Sequence, residues 1–175
     1  MIPDELVQAT REEIAAFQDV RTRKEMTRLA KRQPDLLTFV AVETEDLSGE
    51  GQELAVYLLF VITRTFEKGG TLARISTEDI LEQFQYNISE LERLEAAHDA
   101  YIERAAAGQA ARQPHVMRYV LEALMDAGDE PDPLELTEEE IGTLFLVLMT
   151  VVDVLDAALQ FPDQEGMNPS TRFAS

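Results

Sequence analysis

The sequence predicts an all-α protein, a single helical bundle of five to seven helices with two central apolar helices at about 52–68 and 138–160. Three observations carry that reading. The 8 Gly and 7 Pro stand almost entirely at segment edges, which leaves long stretches suited to helices of several turns and too long for ordinary strands of about five residues. Two of those stretches are apolar on every side, the pattern of a helix surrounded by other helices. The segment Thr137-Glu138-Glu139-Glu140 has the form of a capping box, in which the Thr137 hydroxyl accepts from the Glu140 N–H while the Glu140 carboxylate reaches back.

Taken in order, Pro3 suits a first helical turn, where its missing N–H would go unpaired anyway. Helical spacing then runs towards Gln33 through Leu6, Val7, Ile14, Phe17 and Val20, after which Met26, Leu29 and Ala30 fall out of phase. The phase change between Val20 and Met26 predicts a kink or a second short helix. Pro34-Asp35 opens another helix over Leu36, Leu37, Phe39, Val40 and Val42, although the β-branched content of 36–46 also suits a strand. The apolar helix at 52–68 ends at Gly69-Gly70, placed for a left-handed C-terminal position.

A fourth helix, from Ser76 or Thr77 to about Gly108, sets Ile80, Leu81, Phe84, Ile88, Leu91, Leu94, Tyr101 and Ile102 on one stripe with acids opposite. A fifth, at 114–127, turns Val116, Tyr119, Val120, Ala123 and Leu124 inward. At the start of the last helix Leu136 and Ile141 occupy the two positions of a hydrophobic staple. Near its end Asp153 and Asp156 share a face with Gln160 that reads as solvent-exposed. Periodicity fails after Pro162. Residues 1–161 are therefore expected to form one helical domain and 162–175 a flexible C-terminal tail.

Composition narrows the chemistry. With no Cys, disulfides and thiolate-held metals are excluded. A net charge of −19 repels nucleic acid and anionic lipid except through a local basic surface, so neither is expected as a partner. Met1-Ile2-Pro3-Asp4 begins no basic or apolar leader, and the longest unbroken apolar run, 54–62, falls well short of the ~20 residues that span a bilayer. A cytoplasmic location is expected.

Most candidate sites dissolve on inspection. Glu95 and His98 lie three apart, as in the unit that di-iron carboxylate bundles repeat on a second helix. His115, however, has Arg112 at the corresponding place, so the second unit is missing and no metal or other cofactor is favoured. The acids Asp126, Asp129, Asp132 and Glu135 fall three apart, not at the alternate positions of a calcium loop. Ser48 and Ser76 stand near loops but lack a nucleophile's strand–turn–helix setting.

The one non-random electrostatic feature is basic. Arg21, Arg23, Lys24, Arg28, Lys31 and Arg32 supply six of the chain's 15 cations, interrupted by a single acid, Glu25. Such a run suits docking on an acidic surface, of this chain or of a second copy, or simple solvation of a basic face. The expectation is a non-enzymatic helical interaction or assembly module, a homodimer in its simplest form, with an acidic surface and this basic docking segment. The competing expectation is a carboxylate-rich bundle binding a metal ion or small molecule through Glu95 and His98.

Overall fold

Seven helices and one two-stranded pair make up the residues that a computed structural model of the chain describes, 1–96, 112–126 and 134–160. In chain order they are α1 (Asp4–Ala15), α2 (Asp19–Arg32), α3 (Pro34–Glu43), α4 (Gly49–Gly69), β1 (Thr71–Leu72), α5 (Thr77–Ala96), α6 (Pro114–Met125), α7 (Glu138–Ala158) and β2 (Leu159–Gln160). Among the described residues the fold is all-α apart from that pair. The expected tail at 162–175 and the stretch 97–108 of the fourth expected helix lie outside the described residues.

The helix expected to run from Pro3 towards Gln33 is in fact two. α1 stops at Ala15 and α2 starts at Asp19, so the break precedes Val20 instead of following it. Phe17, in the connection, packs on the core with its ring centroid 6.4 Å from that of Phe60. Val20, read as a member of the inward stripe, is 81% exposed. The chain turns as soon as Phe17 has docked, and α2 starts a new phase of its own.

In α3 the helical period overrides β-branching. Leu36, Phe39 and Val40 are buried at spacings of three and four, and Pro34 stands in the first turn. α4 begins before the expected boundary because the Ser48 hydroxyl caps it, accepting from the Gly51 N–H at 3.1 Å. Its other end corrects the glycine argument. Gly70 has φ 170°, extended backbone and not the left-handed region. Glycine is needed there for close approach, since a Cβ on Gly70 would lie 2.5 Å from the Gln160 carbonyl oxygen, and one on Gly69 2.5 Å from Ile2 Cδ1. That approach lets β1 pair antiparallel with β2, Thr71 opposite Gln160 and Leu72 opposite Leu159. The last expected helix accordingly stops at Ala158.

On α5 the inward line is Ile80, Phe84, Asn87 and Leu91, at helical spacing, and Asn87 is only 4% exposed. Leu81, one residue and about 100° off that line, is 45% exposed, against expectation. α6 buries Val116, Met117, Tyr119, Val120 and Leu124.

The buried apolar residues form one cluster. α7 packs on α5, α4, α6 and α3, while α4 packs on α1, α3 and α7. By length and composition α7 could cross a membrane, but 61% of its apolar stretch is buried inside the fold. α3 touches both α2 and α5, and the Phe39 and Phe84 rings meet edge to face at 5.1 Å.

Candidate interaction surface

The basic segment is helix α2, and its sequence gives it little to bury. Leu29 is its buried residue; Arg21, Arg23, Lys24, Arg28, Lys31 and Arg32 are all exposed. The helical period divides these six. Arg21, Arg28 and Arg32, at spacings of seven and four, share the flank that meets α1 and α4. The Arg21 guanidinium lies 3.6 Å from Glu13 and 4.2 Å from the centre of the Phe17 ring. Arg32 lies 3.5 Å from Glu67, and Arg28 3.7 Å from Glu25 within its own helix.

Glu13 is the hub of this flank. It also meets Lys68, which donates a hydrogen bond to its carboxylate, and Arg64 at 3.7 Å. The Lys68 bond, backed by the nearby charges, holds the Glu13 carboxyl below its ordinary 4.5 against a smaller opposing effect of burial. The other three cations behave differently. Arg23, Lys24 and Lys31 turn away from Leu29, and among the described residues no carboxylate lies within 4.0 Å of any of them. One basic run thus holds two populations, one spent on fastening α2 and one left outward.

Beside α2 an open groove of about 440 Å³ is lined by Ile14, Met26, Val56, Tyr57 and Phe60 together with a few polar side chains. A second concavity of about 410 Å³ lies across Tyr57, between Arg11 and Tyr119. The Arg11 guanidinium sits 5.7 Å from the Tyr119 ring centre, and burial pushes the Tyr119 phenol above its usual range. A third cleft, of about 650 Å³, opens between the start of α5 and the end of α7, where Arg74, Glu82, Gln83, Tyr86 and Arg112 converge.

The acids at the end of α7 correct another expectation. Asp153 and Asp156 are half-buried and hydrogen-bonded, while Gln160 on the same face is solvent-exposed as expected. The Asn87 side-chain amide donates to Asp153 at 3.0 Å and to the Thr150 hydroxyl at 3.0 Å, and Gln83 donates to Asp153 at 3.3 Å. Gln113 donates to Asp156 at 2.6 Å while its carbonyl accepts from the Ile2 N–H at 2.9 Å. These acids therefore join α5, α7 and the chain's N-terminus through a polar seam, which satisfies groups that would be costly to bury alone.

Both candidate serines turn out to be helix caps. Ser76 accepts from the Asp79 N–H at 3.2 Å, as Ser48 does for α4. Thr137 accepts from the Glu140 N–H at 3.1 Å, as the capping box requires. The second half of that box is not made. The Glu140 carboxylate accepts instead from the Ser48 hydroxyl at 2.7 Å, tying the first turn of α7 to that of α4.

Of the candidate ligand pair, Glu95 falls in the last turn of α5 with its side chain outside the described residues, and His98 lies outside them altogether. Among the described residues no three His, Asp or Glu side chains gather as a metal site would require. Comparison with family models, with curated proteins and with solved structures finds no match for this chain.

Proposed function

We propose that this protein is a non-enzymatic, cytoplasmic helical interaction module, built around α4 and α7, that docks on an acidic protein surface through the outer side of α2. The observation that carries the reading is the set Arg23, Lys24 and Lys31. Three exposed cations with no acid within 4.0 Å among the described residues stand on one side of one helix, in a chain whose net charge is −19. A chain so rich in acids could neutralise them internally, as it does Arg21, Arg32 and Lys68. Cations left outward steer association and set its register, since charge complementarity governs encounter and partner choice more than raw affinity.

A photo-crosslinking residue at Thr27, in the middle of that side, tests the proposal in cells. The expected result is a polypeptide adduct at Thr27 that disappears when Arg23, Lys24 and Lys31 are all changed to Glu. Labelling that survives the reversal unchanged contradicts it.

The second reading, a bundle that binds a small molecule or metal ion, draws on the 650 Å³ cleft, a size ordinary for ligand sites. Metal analysis of the purified protein decides its metal form. Stoichiometric iron, manganese or zinc that is lost in His98→Ala supports it, and metal-free protein removes it.

A further inference from the structure

The 410 Å³ concavity beside Tyr57 is walled by three helices, and helical spacing shows which face of each meets there. α1 contributes Arg11 and Ala15, four apart. α4 contributes Leu54, Tyr57 and Leu58, and α6 contributes Tyr119, Glu122, Ala123 and Asp126, all at intervals of three and four. α1 touches both of the other helices. We propose that this concavity binds a small monocarboxylic acid with an apolar body, its carboxylate held by Arg11 and the Tyr119 hydroxyl. The site shares no lining residue with the 650 Å³ cleft or with the outer cations of α2, so it stands or falls apart from the readings above.

Two unspent polar groups carry the argument. Tyr119 is only 6% exposed, yet among the described residues nothing hydrogen-bonds its hydroxyl. A buried polar group left alone is costly, and folded proteins leave few of them, so this one calls for a partner. Arg11 is the second. Its guanidinium stands 5.7 Å from the centre of the Tyr119 ring, and among the described residues no carboxylate lies within 4.0 Å of it. Other cations near α1 are paired, since Arg21, Arg64 and Lys68 all meet Glu13. Arg11, on the same helix as Glu13, is left to the concavity. The polar groups also act on one another. Burial raises the Tyr119 phenol above its usual range, Tyr57 adds to that, and Arg11 opposes it. The hydroxyl therefore keeps its proton and can donate it to an acceptor in the concavity.

The walls select the class of ligand. Arg11 and Tyr119 mark one end of the trough. Glu122, one turn further along α6, faces Arg118 at 3.9 Å. Asp126 is seven residues beyond Tyr119, about 10 Å along the helix, where salt already screens its charge. The Arg11 end thus offers a cation and a hydroxyl donor to one negative charge. Phosphate esters and other polyanions would meet those acids and a chain of net charge −19, which leaves a single carboxylate as the fitting anion. Buried Leu58 and half-buried Leu54 and Ala123 form an apolar bed for the rest of the molecule. A volume of 410 Å³ is ordinary for a site of that kind.

Isothermal titration calorimetry of the full chain at neutral pH tests the proposal, with hydrocinnamate and octanoate as probes and hydrocinnamamide as the uncharged control. Saturable one-to-one binding of at least one acid is expected, with the amide at least tenfold weaker. Arg11→Gln should weaken the acid roughly 10–100-fold, the worth of a hydrogen bond to a charged group. Tyr119→Phe should weaken it several-fold, and Arg74→Gln, in the other cleft, should leave it unchanged. Arg11 is exposed and Phe keeps the Tyr119 ring, so both variants are expected to fold, which circular dichroism verifies. No saturable binding of either acid, equal binding of the amide, or an affinity indifferent to Arg11→Gln or to Tyr119→Phe overturns the proposal. An Arg74→Gln loss as large as that of Arg11→Gln overturns it too, because the acid would then sit elsewhere.

Discussion

Helices α2 and α7 are both long and regular, yet they do opposite work. α7 buries ten residues from Leu144 to Leu155, and its first turn is fastened by the Thr137 cap and by the bond from Ser48 to Glu140. α2 buries Leu29, half-buries Met26 against the core, and otherwise holds to the fold through the Gln33 bonds at its end and through exposed or half-exposed ion pairs of Arg21 and Arg32. Stability follows the first kind of contact, since apolar burial contributes kilocalories per side chain, whereas exposed ion pairs contribute ~0–1 kcal/mol. The difference between the two helices is that between a residue set that packs and one that stays largely in solvent.

Core substitutions should widen this contrast most. Phe145→Ala in α7, at a site 1% exposed, is expected to cost about 3–5 kcal/mol, whereas Val20→Ala on α2 should stay within ~0.5 kcal/mol. Urea denaturation of both variants gives the comparison. Equal losses would mean that α2 is as deeply built in as α7.

The polar seam comes next. Asn87→Ala strips Thr150 and Asp153 of a donor inside the α5–α7 contact, and about 1–3 kcal/mol should be lost. A neutral result in the same denaturation assay would mean that the seam is open to water. Ser48→Ala removes the α4 cap and the tie to Glu140 together, and a loss of about 1 kcal/mol is expected.

The smallest effect concerns the fastening of α2 and α1, and it depends on pH. The Glu13 carboxyl is held below its ordinary 4.5 in the folded protein, chiefly by the bond from Lys68. Its contribution is therefore complete above the unfolded value and is lost as pH falls through the lower, folded value. Lys68→Ala should be less stable than wild type at neutral pH, and the gap should close as the pH is taken below 4.5. A gap of constant size down that range would remove Glu13 as the hub.

What the sequence makes legible is what one helix decides by itself. The cap at Thr137, the opening at Pro34 and the inward positions Val116, Tyr119, Val120 and Leu124 of α6 follow from spacing within about two turns, whereas buried Met117 is not among the residues expected inward. The misses share a cause, which is that a distant residue decides the outcome. The Glu140 carboxylate accepts from Ser48, 92 residues away, and from the Thr137 hydroxyl, and not from the Thr137 N–H that a capping box would use. Gly70 is fixed by the approach of Gln160, which no local turn rule foresees. Asp153 and Asp156 look solvent-facing on a wheel of α7, and the donors that half-bury them, Asn87, Gln83 and Gln113, come from elsewhere in the chain. The basic run shows the same limit. Charge counting finds the six cations but cannot separate Arg21 and Arg32, which face acids of α1 and α4, from Arg23, Lys24 and Lys31, which face outward.

Native-state hydrogen exchange tests the contrast between α2 and α7 most directly, because it reads both regions in one experiment. Amides of α7 should exchange only by global unfolding. Those of α2 should exchange faster, through local opening. Protection of α2 equal to that of α7 would contradict the account.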